Sequence, residues 1–246
     1  MNAPVVCANC GTEGSGRYCS NCGQRLETGL PSAREWLAEV VDAFFSLDGR
    51  VLRTLRLLAF KPGALTADMI EGKRARYIPP LRLYLVCSIL YFFAASFTPE
   101  QTRFMFATFG FGDRENVSIA EILPRLMFLV VPLVALLQKG IYRKQQPSYA
   151  AHLISVLHLF SFWYVIFAVD RLVLLPTEVV PAWATPFYIA SAVLQLSAHA
   201  YLFMALRRLF QQGVLLTIGK QFLWILGFSL ALALGVLAWA SFKGWL

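Results

Sequence analysis

The sequence predicts an all-α membrane protein: a five-helix transmembrane bundle with an N-terminal zinc ribbon and amphipathic interfacial helices. Three observations carry this reading. Hydrophobic residues make up 58% of the 246 residues and charged residues only 15%, too few charges to clothe a soluble fold of that size. Five apolar runs approach the roughly 20 residues that a helix needs to cross a bilayer. Four of the five cysteines crowd into residues 7–22.

The cysteines define a first unit, residues 1–27. Cys7-x2-Cys10 and Cys19-x2-Cys22 are two hooks, each followed by a glycine (Gly11, Gly23). Two residues between thiolates let both sulfurs reach one ion from a tight turn, and the glycine supplies the positive φ that the turn requires. Cys7, Cys10, Cys19 and Cys22 are therefore expected to bind Zn2+. Four ligands close the coordination sphere, so the site is expected to be structural, and useful as a docking surface. No signal-peptide core precedes it. In a reducing compartment such a cluster means metal chemistry, with no need of a disulfide framework.

Residues 28–79 form a linker and amphipathic helices. Ser32-Ala-Arg-Glu35 reads as a capping box before a helical series from Trp36 to Phe45. The stretch "RVLRTLRLLAFK" then places Arg50, Arg53 and Arg56 at every third position, and Pro62-Gly63 ends it. A basic amphipathic helix lies on an anionic membrane surface or packs beneath the membrane domain. "EGKRARYIPPLR" adds Lys73, Arg74, Arg76 and Arg82, each expected to gain about 1 kcal/mol near acidic headgroups.

Residues 80–246 hold the five expected spans, at about 81–98, 119–138, 150–169, 184–206 and 222–242. With the N-terminus in the cytosol, 17 of the 22 lysines and arginines fall on the inner side and five on the outer. That asymmetry satisfies the positive-inside rule and places the C-terminus outside. It also explains the net charge of +8 through topology and lipid, so no nucleic-acid partner is expected.

Polar residues inside the spans mark candidate sites. The third span carries His152, Ser155, His158 and Ser161 at three-residue steps, and the fourth carries Tyr188, Ser191, Gln195 and His199. His158, His199 and Cys87 of the first span have similar expected depths. Three readings stay open: interhelical hydrogen bonding, a proton or solute path in a small transporter or channel, and an embedded metal or haem site. Asp170-Arg171 reads as a solvated pair, and the phenylalanine-rich loop 99–118 as interfacial. No nucleophile elbow, phosphate loop or metalloprotease motif occurs, so a non-enzymatic role is expected.

The stretches "CANCG", "YCSNCGQ", "KPG", "EGKRARYIPPLRLYLVCSILYFF", "YAAHLISVLHLFSF" and "YLFMALRRLF" resemble a family of bacterial multi-pass membrane proteins with an N-terminal four-cysteine zinc ribbon, catalogued as a domain of unknown function. The resemblance implies a bacterial inner (plasma) membrane protein and brings no activity or catalytic residues with it. The function expected from the residues is a membrane platform that docks a cytosolic protein partner through its ribbon.

Overall fold

The computed structural model describes residues 5–26, 49–97, 119–180 and 184–242. The helical series at 36–45, its capping box and the aromatic loop 99–118 lie outside these residues. Within them, a two-stranded antiparallel sheet, β1 (Val5–Val6) and β2 (Glu13–Gly14), is followed by seven helices. These are α1 (Gly49–Phe60), α2 (Ala64–Ile70), α3 (Pro80–Ala95), α4 (Ile119–Tyr142), α5 (Tyr149–Val179), α6 (Ala184–Phe210) and α7 (Val214–Phe242).

Four of them, α4 to α7, are long and apolar enough to cross a membrane, whereas the sequence leads one to expect five such spans. The difference lies in α3. Pro79 and Pro80 fix its start, since proline is tolerated in a first helical turn and not within the preceding helix, and Pro80 is the first helical residue. The helix closes at Ala95, before the apolar run ends. Its 16 residues rise about 24 Å, short of the roughly 30 Å of a hydrocarbon core. The final span differs the other way: α7 starts at Val214, ahead of the expected 222.

The helices alternate in direction. Tyr84 of α3 meets Tyr164 of α5, while Tyr91 reaches on to Phe167, so α3 and α5 run parallel. Phe160 against Trp224, with Trp163 against Phe228, makes α7 parallel to them. Phe162 stacks on Tyr201 at 3.5 Å and Trp163 Nε1–H points to the Ala198 carbonyl, so α6 runs the opposite way. The core runs along α5, where Val156, Leu159, Phe160 and Trp163 are buried among the neighbouring helices. Leu196, Leu215 and Phe222 remain exposed at 67% or more, an outer surface suited to hydrocarbon.

At one end, α1 and α2 fold into an elbow that enters the bundle. Gly63 has φ +73°, and a Cβ there would lie 3.0 Å from the Ala205 carbonyl oxygen of α6. Only glycine combines that left-handed backbone with such an approach at low cost. Tyr201 donates its hydroxyl to the Leu58 carbonyl at 2.7 Å, and Arg208 Nη1 donates to the Pro62 carbonyl at 3.2 Å. Leu58, Leu65, Thr66 and Met69 are buried as a result. The sequence alone leaves open whether these helices lie on a membrane or pack on the protein. The elbow packs on the protein, while Arg50, Arg53 and Arg56 stay exposed on the outer side of α1 beside Leu52 and Leu55.

Candidate metal centre and its junction with the bundle

The ribbon is two copies of one turn. Gly11 N–H donates to the Cys7 carbonyl at 2.8 Å and Gly23 N–H to the Cys19 carbonyl at 2.9 Å. Cys7 N–H reaches the Thr12 carbonyl, and Cys19 N–H the Gln24 carbonyl. Gly11 and Gly23 have φ of +75° and +70°, as the spacing leads one to expect. Their N–H groups close each turn on a cysteine carbonyl.

The two turns face each other so that Cys7, Cys10, Cys19 and Cys22 bring their sulfurs within 4.8 Å of one another. Cys7 Sγ to Cys22 Sγ is 3.7 Å and Cys10 Sγ to Cys19 Sγ is 3.5 Å. Tetrahedral zinc with Zn–S near 2.3 Å would set sulfurs about 3.8 Å apart, so the cluster fits a single such ion with small adjustment. Thr12, through its hydroxyl and backbone, holds the Cys10 thiol down to about 6. The Asn9 side chain and the Gln24 backbone hold Cys22 below its ordinary value. Metal ligation needs thiolates, and both shifts favour them. At Cys19 the backbone of Cys22 and Asn21 pulls the same way, but burial and the Cys10 and Cys22 thiols outweigh it and push that thiol up to about 11. A zinc ion there would fix a unit too small for a core of its own.

The ribbon sits against the loop between α2 and α3. Gln24 donates Nε2–H to the Gly72 carbonyl at 2.9 Å, and its Oε1 accepts the N–H groups of Arg74 and Ala75, both at 3.1 Å. Arg76 Nη2 donates to the Asn9 carbonyl at 2.7 Å. Gln24 and Asn9 belong to the two metal-binding turns, so the groups that shape the cluster also hold the loop.

The loop is braced from below. Asp68 of α2 accepts the Tyr77 hydroxyl at 2.5 Å and an ammonium hydrogen of Lys73 at 3.2 Å; Lys73 also reaches Glu71 at 2.5 Å. Burial pushes the Asp68 carboxyl up, but Tyr77 and Lys73 outweigh it and hold it below the usual range. Burial, then the bond to Asp68, push the Tyr77 phenol up to about 12. Three of the four basic residues that the sequence assigns to headgroups in this segment are thus engaged within the protein. Lys73 pairs with acids, Arg76 holds the ribbon, and Arg82 is buried with a partner of its own. Arg74 keeps an exposed side chain.

The candidate intramembrane residues part company. His158 is buried and lies 2.9 Å through Nδ1 from the Thr66 hydroxyl of the elbow. His152 donates Nε2–H to the Gln146 carbonyl at 2.8 Å, leaving Nδ1 to accept from Gln138 Nε2 at 3.3 Å. Gln138 also donates to Ser155 Oγ, and its Oε1 accepts Trp224 Nε1–H, each at 3.0 Å. That network is satisfied at every amide atom and ties α4, α5 and α7 together. Ser161 bonds back to the Leu157 carbonyl. Gln195 and His199 are exposed on the outer side of α6.

The grouping of His158, His199 and Cys87 that an embedded metal or haem site needs, one of the three open readings, does not form among the described residues. His158 faces the elbow, the exposed His199 ring lies at the rim beside Trp163 at 6.5 Å, and stacked Phe162 and Tyr201 help fill the seam between their helices. Among the described residues, the four ribbon cysteines are the only cluster with ligand atoms close enough to share a metal. Asp170 and Arg171 differ from expectation too: both are buried, at 3% and 7% exposure, and Arg171 hydrogen-bonds Tyr91 of α3. Thr66 and Trp224 carry no signal in the sequence, because each stands alone in a stretch that reads as amphipathic or apolar, and Gln138 beside Lys139 reads as the flank of a span.

A membrane-embedded helical bundle, capped at one end by a tetracysteine module, is the class that fold and site define. The family model described as "Protein of unknown function (DUF3667)" matches residues 48–92, which take in the elbow, the ribbon-holding loop and most of α3. No curated protein and no solved structure matches the chain.

Proposed function

We propose that the protein is a non-enzymatic platform of the bacterial inner membrane that docks a cytosolic protein partner through its zinc-loaded ribbon. The observation that carries this reading is the Gln24 and Arg76 junction. It turns a metal knuckle from a tethered appendage into a fixed surface on the bundle. The side held by Gln24 and Asn9 is used internally. Val5, Val6 and Tyr18 stay exposed, at 46%, 60% and 59%, and are the residues offered to a partner.

The same reading makes α3 a fifth crossing, its shortfall of about 6 Å met by local thinning of the bilayer. It lies parallel to α5 along its length and exposes Ile89, Leu90 and Phe93 outward, as a lipid-facing span does. With the ribbon in the cytosol, Arg50, Arg53 and Arg56 meet anionic headgroups beside the elbow, with Arg74 near the same surface. The C-terminus then lies outside.

The test is affinity capture of intact protein and of a Cys19→Ser, Cys22→Ser variant from the same membranes. Partners recovered by the intact chain and lost by the variant support the platform. The same set from both, or none from either, contradicts it.

A further inference from the structure

We infer that the outer face of α6 is a contact between two copies of this chain, with Gln195 and His199 at its centre. On α6, Tyr188, Ala192, Gln195 and His199 follow one another at steps of three and four, so they share one stripe. All four are exposed. Around them stand Ile189, Val193 and Leu196 at 61%, 61% and 71% exposure, which is ordinary for a lipid-facing surface. An amide and an imidazole are not ordinary there.

Depth makes this acute. Arg207 and Arg208 mark the ribbon-side end of α6. Counting back from Arg207 at 1.5 Å per residue, His199 lies about 12 Å and Gln195 about 18 Å into the span. Gln195 is therefore near the middle of a core roughly 30 Å thick, beyond the reach of water for so short a side chain. Local bonds satisfy only part of each group. Gln195 donates one amide hydrogen to Ser191 Oγ at 3.2 Å, and His199 Nδ1 lies 2.9 Å from the Gln195 carbonyl. Gln195 Oε1 and His199 Nε2 meet no partner among the described residues. Polar groups at such depth pair across helices or face water.

Symmetry selects the partner. Two copies inserted with the same topology are related by a twofold axis along the membrane normal, so residues near that axis face themselves at equal depth. The groups that meet must then be self-complementary. A primary amide donates and accepts, and so does a neutral imidazole; an ammonium or a carboxylate would repel its copy. Gln195 and His199 meet that condition, and the small Ala192 one turn away lets the backbones approach. A buried amide used in this way fixes register and copy number.

The experiment uses the full chain, purified with its metal and returned to phosphatidylethanolamine–phosphatidylglycerol bilayers at graded protein-to-lipid ratios. Self-association is followed by energy transfer between labelled copies and by disulfide formation from Ala192→Cys in a Cys87→Ala background. The wild type is expected to form a dimer that crosslinks through position 192. Gln195→Leu with His199→Leu is expected to weaken association by roughly tenfold or more. Because both side chains are exposed, the variant should keep its metal content and thermal unfolding, which separates lost contact from lost fold. A wild type that stays monomeric at every ratio overturns the proposal. So does a dimer that does not crosslink at 192, or one that the double variant leaves unchanged.

Discussion

In α5, His152, Ser155, His158 and Ser161 are all buried at 3% exposure or less, and each is tied to a partner in its own helix, in α2 or in α4. In α6, Gln195 and His199 stand exposed. The apolar stretch of α5 is 61% buried, against 33% for α6. The two helices carry similar side chains at similar spacing, so spacing alone cannot say what such groups do. What distinguishes them is position: α5 is surrounded by α3, α4, α6, α7 and the elbow, whereas α6 has an open flank. Buried polar groups inside a bundle are fixed ties within one molecule, and the same groups on an open flank await another.

The largest effect that bears on this contrast comes from the ribbon, which holds the elbow that reaches His158. Cys19→Ser should remove the metal, and with it on the order of 10 kcal/mol of metal-dependent folding energy. Gln24 would then release the loop. Trypsin should cut at Lys73, Arg74 or Arg76 in the variant and spare them in the loaded protein. Equal digestion of both would separate the ribbon from the elbow.

Thr66→Val against His199→Leu tests the contrast itself. His158 Nε2 has no hydrogen-bond partner among the described residues, so the first change leaves a buried imidazole with neither nitrogen paired there and should cost about 1–3 kcal/mol. The second removes an exposed group and should leave the unfolding of a single copy within about 0.5 kcal/mol. Thermal unfolding in detergent measures both, and equal losses would erase the distinction. A loss of roughly 1–2 kcal/mol from the left-handed backbone alone is expected for Gly63→Ala, and the Ala205 carbonyl 3.0 Å from the new Cβ adds to it. Gly213→Ala, with open space around its Cβ, is the control.

The smallest effect is one of pH. The Asp68 carboxyl titrates below its ordinary value in the folded chain. Its contribution is therefore complete above the unfolded value near 4 and is lost as pH falls through the lower folded value. Loop protection in the wild type should decline in acid more steeply than in Asp68→Asn. Parallel acid profiles would mean that the brace contributes nothing.

The ribbon is legible in the sequence because its geometry is local: spacing, following glycine and turn all fall between Cys7 and Thr12, and again between Cys19 and Gln24. The long helices are legible because length and hydropathy suffice for them. The elbow is not. Amphipathic spacing in α1 announces that a face is covered, but the covering groups, Tyr201, Ala205 and Arg208, lie more than 140 residues away. Gln138 escapes notice because it adjoins Lys139 at the end of an apolar run, where a polar residue reads as a flank. Its burial depends on Trp224 and His152 arriving from two other helices. The Asp170-Arg171 pair misleads for a related reason: α5 continues to Val179, so both residues lie within the helix and not at its end.

Metal content and optical spectrum of the purified chain, with and without His158→Leu, test most directly the claim that the ribbon is the metal centre and the buried histidines are ties. One zinc per chain is expected, with no haem band, unchanged by His158→Leu and abolished by Cys19→Ser. A second metal or a haem band that disappears with His158 would contradict it.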